Sequence, residues 1–326
     1  MRNLGLFAAS FAVVTSGPVL WSGSPAGPQY GPWSMPINVG VPVNSPYTED
    51  KATLSKHGLS LYFSSNRPCG DGDSLLDSNL WVAHRSSPDG VWESVECLDI
   101  NVNPTDAGAA AIVDSAPTLS RDEHWLYFVS DRPGSFGSPG FFGRDIWVSW
   151  RPQVHDDQGW QQPFNIGTSI NTTAAEAGPA YFESDSGIAQ LFFTTTRSGV
   201  FDIWVADLVD GLPVGLARSV DEVNTASMVE AGVAIRHDGL EMFFFRGPSG
   251  PVFDIFTATR STPDGTWSDA VNLGAPVNSA GNEQAPSISA DRGLLFIPSN
   301  RPGSIQAPNG QPSLDIWVSS RAKTAP

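Results

Sequence analysis

Apolar residues along this chain fall in short runs broken by Gly, Pro, Asp and Ser, with no sustained helical spacing. Leu61-Tyr62-Phe63 and Leu80-Trp81-Val82-Ala83 set the pattern, and similar pairs of runs recur to the C-terminus. Short aromatic and β-branched runs bounded by turn residues predict strands. The first pair belongs to the block Leu61–Arg67 with Asn79–Trp81. It returns as Leu126–Arg132 with Asp145–Trp147, then as Leu191–Arg197 with Asp202–Trp204. The last copies are Met242–Arg246 with Asp254–Phe256, and Leu295–Arg301 with Asp315–Trp317. The closing arginines are spaced 65, 65, 49 and 55 residues apart. A recurring unit of this size predicts an architecture in which each copy buries its apolar face against its neighbours.

Each unit reads as four strands. The first is exemplified by Ala116–Ser120 and Ala285–Ser289, and it ends in turns such as His237-Asp238-Gly239. The second is the apolar run ending in arginine, and the third begins at the Asp-Ile-Trp motif. The fourth follows Trp33, Trp92, Trp160 or Trp267 and ends in Asn-Val-Gly, Asn-Ile-Gly or Asn-Leu-Gly. Four antiparallel strands per unit predict a propeller blade. The repeats start on a fourth-strand motif, Trp33–Gly40, and end on a third-strand motif, Asp315–Arg321. The N-terminal strand is therefore expected to complete the last blade and remove its open edge. The expected fold is all-β, a five-bladed propeller.

The pattern Pro-Ser-Ile-Ser, Leu-Tyr-Phe-x-Ser-x-Arg-Pro and Asp-Ile-Trp resembles the WD-like propeller repeats of the TolB family, over nearly the whole chain beyond residue 33. The resemblance implies a propeller domain and the binding or scaffolding roles found in that family. The additional α/β domain of TolB itself has no counterpart here.

Composition narrows the function classes. Eighteen basic against 34 acidic residues give a net charge of −16, which excludes the basic footprint that nucleic acid needs. No run is apolar and long enough for a membrane span. Arg2 with the apolar run Leu4–Val14 predicts an export leader over residues 1–22. A Gly/Pro-rich tether over 23–32 and one domain over 33–326 are expected to follow, with the exported protein a monomer. Cys69 and Cys97 are the only cysteines, and in an exported protein they invite a disulfide.

Candidate chemistry gathers where the fourth strand of one blade leads into the first strand of the next. Asn44 and Glu49, Asn171 and Glu176, Asn224 and Glu230, and Asn278 and Glu283 recur there. In blade two the loop is enlarged, and Asn103 is answered by Asp114. Two readings stay open. These residues form a polar funnel that binds a glycan or protein ligand, or each ties its own loop to backbone amides. Long loops at Cys69–Ser78, Gly134–Arg144 and Gly303–Ser313 are placed to wall one side of such a funnel. Asp71, Asp73 and Asp77 form a small acidic cluster whose oxygens suit calcium, without the closing glutamate of an EF-hand loop. No other cofactor is expected. Arg67, Arg132, Arg197, Arg246 and Arg301 are expected to pair with Asp145, Asp202, Asp254 and Asp315, which open the third strands. These are read as structural.

No Ser–His–Asp constellation, G-x-S-x-G elbow or phosphate loop is present. Carboxylates alone remain for catalysis. The expectation is a non-catalytic binding module with its ligand at the Asn/Glu funnel. The alternative is an arabinanase-like glycosidase that works with Glu176, Glu230 and Glu283.

Overall fold

The computed structural model describes residues 30–70, 77–99, 101–104, 112–137, 143–250 and 252–324. These form five four-stranded antiparallel sheets. Blade one contains β2 (Glu49–Leu54), β3 (Ser60–Ser65), β4 (Asn79–His84) and β5 (Ser94–Cys97). Blade two contains β6 (Asp114–Leu119), β7 (Trp125–Ser130), β8 (Asp145–Trp150) and β9 (Phe164–Asn165). Blade three contains β10 (Glu176–Glu183), β11 (Ala189–Thr195), β12 (Asp202–Val209) and β13 (Leu212–Ser219). Blade four contains β14 (Val229–Ile235), β15 (Glu241–Gly247), β16 (Asp254–Thr259) and β17 (Val271–Asn272). Blade five combines β18 (Ser287–Ile288), β19 (Leu294–Ser299) and β20 (Asp315–Ser320) with β1 (Ile37–Asn38).

Closure is as expected: Ile37 pairs with Val318 and Asn38 with Trp317. Ring-closing contacts begin earlier than the expected domain boundary, since Tyr30 bridges Lys323 and the Gly31 amide donates to Ala322. The expected leader and most of the tether, residues 1–29, lie outside the described residues. Among the described residues no helix is long and apolar enough to cross a membrane.

Five apolar clusters hold the ring together, one between each pair of adjacent blades. The second strands explain how. Leu61 and Phe63 pack towards blade five, while Tyr62 between them packs towards blade two. Alternate side chains of one strand thus serve two interfaces, so the strand is apolar throughout and shows no in/out alternation.

The first strands run along the channel and share one irregularity. Their ladder slips at the same place in blades one to four. The residue at the slip is left-handed in all five blades: Lys51, Ala116, Gly178, Gly232 and Ala285. Such bulges re-aim the strand. They also correct two expected boundaries. The ladder of blade two starts at Asp114, ahead of Ala116, and that of blade five is confined to Ser287–Ile288. Cys69 and Cys97 are joined, with Cα atoms 5.7 Å apart, fastening the loop after β3 to β5.

Candidate functional site

The recurring Asn and acidic residues form a clamp repeated in every blade. Asn171 Oδ1 accepts from the Ile146 amide at 2.9 Å, and its Nδ2 donates to the Ile146 carbonyl at 2.8 Å. Asn44 does the same with Ile316, Asn103 with Leu80, Asn224 with Ile203 and Asn278 with Ile255. Each carboxamide thus behaves as one extra strand residue beside the third strand of the preceding blade.

The acid locks the same corner. Glu176 accepts from the amide and hydroxyl of Thr172, from Thr195 and from Arg197. Glu49, Glu230 and Glu283 repeat this with Arg67, Arg246 and Arg301 at 2.8, 2.8 and 3.1 Å. Asp114 takes the role in blade two, 2.6 Å from Arg132. All four glutamates are 0% exposed. Burial drives the Glu49 carboxyl up to about 7 and Asp114 up to about 6 against the pull of their arginines.

This arrangement corrects two expectations. The ring of Asn44, Asn103, Asn171, Asn224, Asn278, Glu49, Asp114, Glu176, Glu230 and Glu283 does not line the channel. Its polar atoms are turned into the blade corners, where backbone groups need partners. The arginines, moreover, pair with the first-strand acids and not with Asp145, Asp202, Asp254 and Asp315. Asp145, Asp254 and Asp315 accept instead from Asn165, Asn272 and Asn38 of the fourth strands, and Asp202 accepts from the Ser198 hydroxyl. Each arginine lies over an aromatic ring of the third strand. Trp81, Trp147, Trp204 and Trp317 fill that place in four blades and Phe256 in the other.

Asp71 and Asp73 lie outside the described residues, whereas Asp77 is buried. Among the described residues, no three His, Cys, Asp or Glu side chains are grouped to hold a metal ion. Phe136 is exposed, Phe141 and Phe142 lie outside the described residues, and Arg144 reaches the funnel.

The funnel itself is a cavity of about 390 Å³ on the face that carries the fourth-to-first loops. Its wall is built one step along from the clamp acids, at the bulges. Those positions read Asp50-Lys51 in blade one, Ser115-Ala116 in blade two and Ala177-Gly178 in blade three. They read Ala231-Gly232 in blade four and Gln284-Ala285 in blade five. At the bulges four blades thus offer small or neutral residues and blade one alone offers charge, joined in the wall by Arg144 from blade two. Phe201, Phe245 and Phe253 form an apolar wall on the side of blades three and four.

Asp50 is the only carboxylate that lines this cavity among the described residues. Burial raises its carboxyl above the ordinary range, opposed by the Lys51 amide at 2.8 Å, by the Gln284 side chain and by the charges of Lys51 and Arg144. Lys51, 2% exposed, crosses the channel and donates from Nζ to the carbonyl of Val233 at 2.7 Å and of Pro286 at 3.2 Å. Burial brings its ammonium down to about 8. The sequence reading passed over both residues. The signal was there, in the break of symmetry immediately after the recurring acid.

No family model and no curated protein matches the chain in sequence. Solved structures do match in shape. An α-L-arabinofuranosidase from Lactobacillus brevis superposes with a TM-score of 0.56 at 13% identity, over 86% of this chain and 92% of that one. An endo-arabinase from Bacteroides thetaiotaomicron gives 0.55 at 13% identity, over 90% and 98%. TolB from Acinetobacter baumannii gives 0.47 at 12% identity, over 86% and 55%, a score too low to support membership of that family. The likeness establishes the five-bladed ring. It also corrects the expectation of a non-catalytic TolB-like module, because the neighbours that share the ring over nearly their whole length are glycosidases.

Proposed function

We propose that this chain is a carbohydrate-active enzyme of the glycoside-hydrolase kind, acting on an arabinose-containing glycan bound in the funnel. The observation that carries this reading is the part-buried Asp50 carboxyl facing the cavity opposite an aromatic wall. The apolar face of a sugar suits Phe201, Phe245 and Phe253, and its hydroxyls suit Ser115, Gln284 and Arg144.

A carboxyl that burial makes hold its proton more tightly can give that proton to a leaving glycosidic oxygen. Asp50 is assigned that role of general acid. Arg144, which lines the same cavity, orients the substrate, and the nearby Lys51 charge acts on Asp50 from behind. Glycoside hydrolysis by either stereochemical course also needs a second carboxylate, and the described lining of the funnel supplies Asp50 alone. The clamp acids Glu176, Glu230 and Glu283 are committed to arginines and are not assigned to it.

We also propose that the protein is exported. The Cys69–Cys97 disulfide suits an oxidising compartment.

The test is release of reducing sugar from a panel of arabinans, arabinoxylans and aryl arabinofuranosides. The wild type should turn over at least one of them, and Asp50→Asn should lower the rate by about a hundredfold or more. A panel that yields no product with the wild type would overturn the reading.

A further inference from the structure

On the far side of Lys51 the channel opens into a second cavity of about 350 Å³, at the face that carries the first-to-second turns. Lys51 lines both cavities and forms the partition between them. Two of its three N–H groups are taken by the Val233 and Pro286 carbonyls. Beside Pro286, Ser287 lines this lower cavity at 8% exposure, and its buried hydroxyl has no hydrogen-bond partner. A buried hydroxyl left unpaired costs free energy that a ligand recovers.

Basic side chains gather at its mouth in a chain of net charge −16. Lys56, Arg121 and His237 line it, with Arg292 close behind. Burial and the charges of Arg121 and Arg292, opposed by those of Asp185 and Asp238, hold the His237 imidazole below its usual range. Acids stand among them: Glu123 and Glu183 line the same cavity, and Asp238 lies 3.4 Å from Arg292. Glu123 accepts from the Lys56 amide at 2.6 Å, Glu183 from Tyr181 at 2.7 Å, and Asp185 from Arg121 at 2.8 Å.

We propose that this lower cavity is a second ligand site, built for a small oxyanion held by the Lys51 ammonium and the Ser287 hydroxyl, with Lys56 and Arg121 at the mouth. The site lies on the opposite face from the funnel and does not depend on turnover there. Phosphate and the carboxylate of a sugar acid share the required chemistry.

Calorimetric titration with inorganic phosphate and, separately, with glucuronate tests it, with glucose as the neutral control. At least one anion should bind saturably, and glucose should not. Ser287→Ala removes one hydroxyl, Arg121→Gln removes a charge at the rim, and each should weaken binding about tenfold. Tighter binding of glucuronate would assign the site to a sugar acid, and tighter binding of phosphate would assign it to phosphate. Absence of saturable binding by both anions overturns the proposal. So does unchanged affinity in Ser287→Ala, a variant small enough to keep the fold, with its unfolding temperature measured alongside.

Discussion

Asn44 and Ile316 lie 272 residues apart and hold each other by two hydrogen bonds, amide to Oδ1 at 2.8 Å and Nδ2 to carbonyl at 2.9 Å. The same bond that joins neighbouring blades elsewhere here joins the two ends of the chain. Asn44→Ala should destabilise the fold by about 2–3 kcal/mol, because it leaves both Ile316 groups unpaired. Denaturant unfolding of Asn44→Ala beside Asn171→Ala checks this. Similar losses are expected, since both sites are fully buried corners of the same kind.

Glu176→Gln separates architecture from chemistry. The substitution removes the fully buried carboxylate facing Arg197, whose own side chain stays 20% exposed. Stability should drop by roughly 3 kcal/mol. The activity per folded molecule should stay near that of the wild type, in contrast to Asp50→Asn.

Stability should decline as pH rises from about 5 to 7. The carboxyls of Glu49 and Asp114 have folded values near 7 and 6, above their ordinary values of 4.5 and 3.8. Through that interval these two carboxyls hold more protons folded than unfolded, so each unit of pH upward favours unfolding, with the lowered His237 imidazole acting in the opposite direction below 6.5. Lys51 contributes nothing there, since it titrates near 8 and above. Thermal unfolding at pH 5.5 and 7.5 in one ionic strength reads the difference. Arg67→Gln should steepen the slope, because it removes the charge that draws Glu49 down.

Reduction of Cys69–Cys97 should cost roughly 3–4 kcal/mol by the loop-closure argument for a separation of 28 residues. The denaturation midpoint with and without reductant measures it. Cys69→Ser with Cys97→Ser should reproduce the reduced value.

The ring and its closure were legible because they rest on local signals that repeat. The apolar second strands, the Asp-Ile-Trp motif and the stray fourth strand at Trp33–Gly40 each imply a neighbour. The repeating Asn and Glu were equally visible, yet repetition alone does not say which way a side chain points. Residue 49 is buried in the blade corner and residue 50 faces the channel, a distinction made by the bulge at Lys51. Left-handed backbone at a lysine leaves no trace in propensity. The pairing of Arg132 with Asp114, and not with Asp145, depends on strand ends meeting across a sheet, again beyond local pattern.

A crystal structure with a bound arabino-oligosaccharide tests the central claim most directly. The account predicts a sugar ring against Phe245 and Phe253, with a glycosidic oxygen within hydrogen-bond reach of the Asp50 carboxyl. Saccharide seated at the outer blade faces, or a funnel that stays empty at saturating ligand, would contradict it.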